Sequence, residues 1–184
     1  FESRFESGNL QLVHKVSDSE YNLILQNDIN SKGHTQWFYF RVQNTRAGSK
    51  IKFNLLNFIK PKSLYNEGMR VLAFSERRAE KEGEGWFRAG EEIAYFQNNY
   101  RREHMTQSQR HYYTFTYSFK FDFDNDTVFF AYSLPYTYSD LQADLADISK
   151  RNLDYVTRNT LCRTLAGNKC EYLTITSRIN GPPS

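Results

Sequence analysis

Residues 113–122 alternate without a break. Tyr113, Phe115, Tyr117, Phe119 and Phe121 take the odd positions, and Thr114, Thr116, Ser118, Lys120 and Asp122 the even ones. Successive side chains of a strand point to opposite faces, whereas a helix would scatter these rings around its circumference. The segment is expected to be a long, half-buried β-strand with its rings on a core. The same period of two recurs in Ile51, Phe53 and Leu55 against Lys50, Lys52 and Asn54. It recurs again in Leu10, Leu12 and Val16 against Gln11 and Lys15, with His14 on the apolar side.

Residues 37–42 and 128–132 are apolar on both faces and rich in strand formers, which suits central strands covered on both sides. Residues 21–25, 70–74 and 93–96 read as shorter strands, joined by turn-like segments at 27–33 and 44–49. Amphipathic helices are missing from the first 130 residues, apart from a short one at 75–81. Residues 80–85 and 98–110 read as exposed loops, the second carrying His104 and three arginines. Together these features indicate an all-β fold, an antiparallel sandwich or barrel.

Composition excludes several alternatives. Mean hydropathy is low, at -0.72, yet the 15 Phe, 13 Tyr and 2 Trp are incompatible with a disordered chain. No apolar run approaches the roughly 20 residues of a membrane span, and the first residues, Phe1, Glu2, Ser3 and Arg4, do not read as a signal peptide. No membrane partner is expected. The net charge of +3 neither demands nor forbids an anionic partner. Cys162 and Cys170 are too few for a disulfide scaffold, so a reducing compartment is expected, with one hairpin disulfide left open.

The pattern changes at Pro135. Tyr138, Leu141, Leu145 and Ile148 form one helical stripe, and Ser139 with Gln142 fits a capping box, so a helix over 138–150 is expected. Residues 161–165 and 171–176 read as two strands around a turn at Gly167 and Asn168, and residues 180–184 as a disordered or truncated tail. The switch divides the chain into a β-sandwich domain, 1–134, and a part at 135–184 too small to be complete.

Chemistry-bearing motifs are sparse. None of His14, His34, His104 and His111 belongs to a His-Glu-x-x-His pattern, and no nucleophile elbow, phosphate-binding loop or dinucleotide fingerprint is present. The rings share one apolar face, which favours core packing over base stacking, so no nucleic acid is expected as a partner. Residues 125–127 form a glycosylation sequon, relevant only to a secreted chain.

Several stretches, taken in order, carry a resemblance. Phe5, Glu6, Ser7, Gly8, Asn9 and Leu10 precede Gln36, Trp37, Phe38, Tyr39 and Phe40. Residues 53–57 follow, then Lys62, Ser63, Leu64 and Tyr65 with Gly68 and Met69. Phe130, Ala131 and Tyr132 come last, with Pro135, Tyr136, Thr137, Tyr138 and Ser139. Over residues 1–177 this order resembles the cytosolic carboxypeptidases, zinc metallocarboxypeptidases of the funnelin type that shorten glutamate chains on tubulin and other proteins.

The resemblance implies an antiparallel β-sandwich N-domain followed by an α/β carboxypeptidase domain, with Pro135, Tyr136, Thr137, Tyr138 and Ser139 at the interdomain junction. Leu161, Cys162, Thr164, Leu165, Gly167, Asn168 and residues 170–176 then look like the first hairpin of the truncated catalytic domain. That hairpin is nearest the founding, neuronal-type branch, whereas residues 61–65 are nearer other branches, and the branch stays open. The family's zinc motif, a His-x-x-Glu, and its other active-site groups come further along the chain. No catalytic or metal-binding residue is carried onto a position here, and this length of chain alone is expected to hold no zinc and to be inactive.

For the parent protein the resemblance implies zinc-assisted hydrolysis of a C-terminal peptide or isopeptide bond, with a carboxylate moving the proton. It implies the chain's own catalytic domain and polyglutamylated tubulin or other acidic protein tails as partners, in the cytoplasm and at microtubules or cilia. Arg46, Lys50, Lys52, Arg101 and Arg102 are the basic residues expected to attract such tails. The alternative is a self-sufficient β-sandwich module binding protein or glycans without catalysis, with Trp37 and Trp86 as platforms.

Overall fold

The computed structural model describes residues 1–102 and 111–176. The chain divides into two compact units, Phe1–Pro135 and Tyr136–Ser184. In the first, strands β1 (Leu10–Ser17), β2 (Glu20–Leu25), β4 (Lys50–Phe58), β7 (Glu91–Arg101) and β8 (His111–Lys120) form a five-stranded sheet in the order β1-β2-β4-β8-β7. Strands β3 (Tyr39–Val42), β5 (Val71–Ser75), β6 (Phe87–Ala89) and β9 (Val128–Ala131) form a four-stranded sheet in the order β3-β9-β5-β6. These pairings are antiparallel except that of β2 with β4, which run parallel because the chain visits the other sheet between them.

The core lies between the two sheets. Leu23, Leu25, Phe53, Leu55, Phe115 and Tyr117 from one meet Phe38, Phe40, Val71, Val128 and Phe130 from the other. Rings interlock across the gap: Phe53 lies 5.4 Å from Phe130 and 6.2 Å from Phe40, and Tyr117 lies 5.7 Å from Phe130. Tyr65, on a 3-10 turn (Leu64–Glu67), stacks on Phe115 at 3.7 Å. Each such pair adds about 0.5–1.5 kcal/mol beyond its buried area.

Three strand expectations change in detail. β8 is central rather than half-exposed, since Thr114, Thr116 and Ser118 are buried as well as the rings. Longer side chains from the flanking strands cover these small hydroxyl residues: Asn98 Nδ2 donates to Thr114 (3.0 Å), Thr116 donates to Asn54 (2.7 Å), and Ser118 donates to Glu92 (2.7 Å). In β1, Leu10 and Val13 pack on the core while Leu12, His14 and Val16 face solvent. A register shift between Leu10 and Leu12 explains this, because one extra residue moves every later side chain to the other face. β3 is an edge strand whose free side is met by Glu2 at Arg41 and by Asn9, whose N–H donates to the Tyr39 carbonyl at 3.2 Å, and its outer face carries Tyr39 in aromatic packing.

Other elements refine the expected pattern. β6 is a further strand, and β7 runs on to Arg101, so residues 98–101 are strand and not loop. Residues 103–110, with His104, and the tail at 180–184 lie outside the described residues. Helix α1 (Glu76–Glu82) starts at Ser75, whose hydroxyl accepts from Arg78 N–H, and stops at Gly83 in the left-handed region. Asp126, buried beside α1, accepts from the Ser75 hydroxyl (2.6 Å) and from Arg77 N–H (3.1 Å).

The second unit holds helix α2 (Tyr138–Lys150) and a hairpin of β10 (Val156–Arg163) and β11 (Lys169–Ile175). Leu145 is buried, with Tyr138, Leu141 and Ile148 half-buried on the same stripe. The capping box belongs to Thr137 and Asp140, not to Ser139 and Gln142. Thr137 holds the extended backbone that a cap needs, and Gln142 instead donates to Glu171 at 2.8 Å.

Candidate interaction site

The outer face of the four-stranded sheet carries a continuous aromatic surface. Arg41 of β3, Phe129 of β9 and Phe74 of β5 stand opposite one another across adjacent strands, and Tyr39 lies diagonal to Phe129 on the same face. Phe5 reaches Tyr39 at 4.9 Å, Tyr39 reaches Phe129 at 6.0 Å, and Phe74 reaches Trp86 at 5.6 Å. The Arg41 guanidinium sits 5.7 Å from the Phe5 ring and 5.9 Å from Phe129, a cation–π arrangement on the same face. These rings are half-buried, so the face offers contact area without being open core.

Trp37 and Trp86 are tied into this face and do not stand free as platforms. Trp37 N–H donates to the Ser7 carbonyl at 2.7 Å and its ring packs on Tyr39 at 6.1 Å. Trp86 lies 6.0 Å from Tyr39. The alternation of Trp37, Tyr39 and Arg41 against Phe38, Phe40 and Val42 is the sequence signal for this face.

The five basic residues singled out in the sequence occupy separate settings. Lys50 pairs with Glu92 at 2.8 Å and with Glu91 at 3.0 Å, and these contacts raise its pKa while Lys50 lowers that of Glu92. Lys52 pairs with Glu20 at 3.4 Å, whose carboxyl is held low first by the Asn54 amide. Arg46 lines a recess with Phe1, Tyr21 and Phe53. Arg101 lines a groove of about 560 Å³ on the outer face of the five-stranded sheet, with Leu12, His14, Tyr100 and Tyr112. Arg102 donates to the Lys32 carbonyl at 3.0 Å and sits 5.9 Å over the Tyr112 ring.

Of the residues at 135–139, Tyr136 is exposed and donates to Asp144 at 2.7 Å, which raises its pKa. Thr137 caps α2, and Tyr138 lies on its inner stripe. Within the second unit Arg158 donates to Glu171 at 2.8 Å and to Gln142 at 3.0 Å, joining hairpin and helix. The Arg158 hydrogen bond, then that of Gln142, holds the Glu171 carboxyl below the usual glutamate range.

No three His, Cys, Asp or Glu side chains among the described residues converge as metal ligands. His14 and His34 are exposed, and half-buried His111 lies 3.1 Å from the Asn98 carbonyl. No helix among the described residues is long and apolar enough to cross a membrane.

Comparison with known proteins places this geometry. A family model described as the cytosolic carboxypeptidase N-terminal domain matches residues 1–133. Human cytosolic carboxypeptidase 2 is 45% identical over 184 residues, covering 99% of this chain and 20% of the relative. The Xenopus tropicalis protein of the same name is 48% identical over 179 residues, covering 96% of this chain and 18% of the relative. The chain thus spans about a fifth of the length of the curated relatives it matches. A metallo-carboxypeptidase from Burkholderia cenocepacia shares the fold, with a TM-score of 0.67 at 21% identity over 98% of this chain and 40% of that one.

Proposed function

The chain belongs to the cytosolic carboxypeptidase family, and from that premise we propose that it is the N-terminal part of a zinc metallocarboxypeptidase acting on polyglutamylated tubulin and other protein C-termini. The reaction proposed for the whole protein is hydrolytic removal of glutamates, in the cytoplasm and at microtubules or cilia. The observation that carries this reading is the reach of the match: the N-domain model covers 1–133, and 45% identity continues through 184 residues.

In this reading the β-sandwich packs against the catalytic domain and shapes access to it. The half-buried aromatic face around Tyr39, Phe129 and Arg41 supports that role, because it combines apolar area with a cation already seated on rings. The residues 135–139 form the junction, and the second unit begins the carboxypeptidase domain. Its hairpin supports this, with Leu161, Leu165 and Ile175 exposed where a larger sheet would cover them.

The described residues do not fit a zinc site, so no step of the hydrolysis is assigned to them. Arg46 and Arg101, each lining a recess, are the residues best placed to meet an acidic tail. Lys50 and Lys52 would first have to exchange their glutamate partners.

A polyglutamate peptide assay tests the reading. A chain extended to the relatives' full length is expected to release glutamate in a metal-dependent way, and the 184-residue chain to release none. Release by the shorter chain, or none by the longer one with zinc bound, would overturn it.

A further inference from the structure

Cys162 and Cys170 are direct partners across the hairpin of the second unit. Both are free thiols, and both are exposed. Thr164 N–H donates to the Asn168 carbonyl at 2.8 Å, which marks that pair as hydrogen-bonded. Hydrogen-bonded and non-bonded pairs alternate along an antiparallel ladder, and the register is constant from Cys162 to the turn. Cys162 and Cys170 therefore face each other at a bonded position, where α-carbons stand about 5.5 Å apart. That separation lies within the range a disulfide spans, about 4.4–6.8 Å.

We propose that Cys162 and Cys170 form a dithiol–disulfide site that closes by exchange with a small-molecule disulfide such as oxidised glutathione. The thiolate of one cysteine attacks the glutathione disulfide, forming a mixed disulfide and releasing one glutathione thiolate. The thiolate of the other cysteine then attacks the protein sulfur of that bond and releases the second glutathione. The chain loses two protons and two electrons, and glutathione disulfide is reduced to two glutathiones. The bond would pin the two strands beside the turn at Gly167, in the part of the hairpin where Leu161 and Leu165 are open to solvent.

Two features fit a reversible bond. An exposed pair gives a disulfide accessible to attacking thiols, the kind that thiols reduce readily. Desolvation raises the Cys162 thiol and Cys170 raises it further, so closure is expected to speed up as pH rises toward the thiol range.

The 184-residue chain, equilibrated in glutathione buffers of increasing oxidised share and then alkylated, gives the test by intact mass and peptide mapping. The expected result is joint loss of both thiols, a mass lower by two hydrogens, and a crosslink between residues 162 and 170 that dithiothreitol reverses. C162S and C170S are each expected to carry a single glutathione adduct instead. The proposal is overturned if the native chain accumulates glutathione adducts or chain-to-chain disulfides without that crosslink. It is equally overturned if both thiols stay open to alkylation under conditions that glutathionylate C170S.

Discussion

In Phe1–Pro135 two sheets close over one another, and Phe38, Phe40, Phe53, Phe115, Tyr117 and Phe130 leave almost no surface to solvent. Among the described residues of Tyr136–Ser184, one helix meets one hairpin. There Leu145 is buried, but Leu161, Leu165 and Ile175 remain 72%, 92% and 69% exposed. Both units contain amphipathic elements, so the difference lies in how many elements share the work. A two-stranded hairpin with a single helix can cover one of its faces and not the other. Polar contacts among Arg158, Glu171 and Gln142 hold the second unit where a ring core holds the first.

Core truncation should separate the two units most sharply. Phe53→Ala or Phe130→Ala is expected to cost about 3–5 kcal/mol in the sandwich, read by urea unfolding through Trp37 and Trp86, with the hairpin amides of the second unit unmoved. Equal loss in both units would erase the distinction. Asp126→Ala is expected to cost about 2–3 kcal/mol, because the Ser75 hydroxyl and Arg77 N–H lose their buried acceptor.

Acid should act on the second unit through Glu171, as it does on the surface of the sandwich through Glu20 and Glu92. The Glu171 carboxyl has a lowered pKa when folded, so its contribution is complete above the unfolded value of about 4.3 and is lost as pH falls through the folded value. Resonances of Leu145 and Tyr172 are expected to broaden or shift in that window, before the core signals of Phe53 and Phe130. Glu171→Gln is expected to remove most of this pH dependence. Thr137→Ala should cost α2 about 1 kcal/mol, seen as faster amide exchange at its first turn and no change in the sandwich. The smallest effect belongs to Tyr117→Phe. The Tyr117 hydroxyl is fully buried without a hydrogen-bond partner among the described residues, so its removal should leave stability unchanged or raise it by up to about 1 kcal/mol.

Strand periodicity made β8, β4 and β9 legible, along with the all-β class of the first unit, because burial on one face writes itself as alternation. What it could not carry is register. The extra residue near Gln11 turns Leu12 and His14 outward although their spacing from Leu10 is even. The burial of Thr114, Thr116 and Ser118 depends on which side chains stand opposite, and Asn54, Glu92 and Asn98 come from distant parts of the chain. β6 has three residues with Arg88 at its centre, too short to show a period.

The candidate surface was legible in pieces. Trp37, Tyr39 and Arg41 alternate visibly, but their alignment with Phe129 and Phe74 follows from strand order. Basic residues could be picked out, whereas the glutamates facing Lys50 and Lys52 could not. Cys162 and Cys170 were legible as a possible hairpin pair, but their direct opposition follows from the register set at the turn.

Native-state hydrogen exchange on the 184-residue chain and on a chain extended to the relatives' full length tests the central claim most directly. The account predicts slow exchange in β4, β8 and β9 in both chains, with β10 and β11 fast in the shorter chain and slow in the longer one. Equal protection of the hairpin in the two chains would contradict the reading that its exposed apolar side chains await the rest of a carboxypeptidase domain.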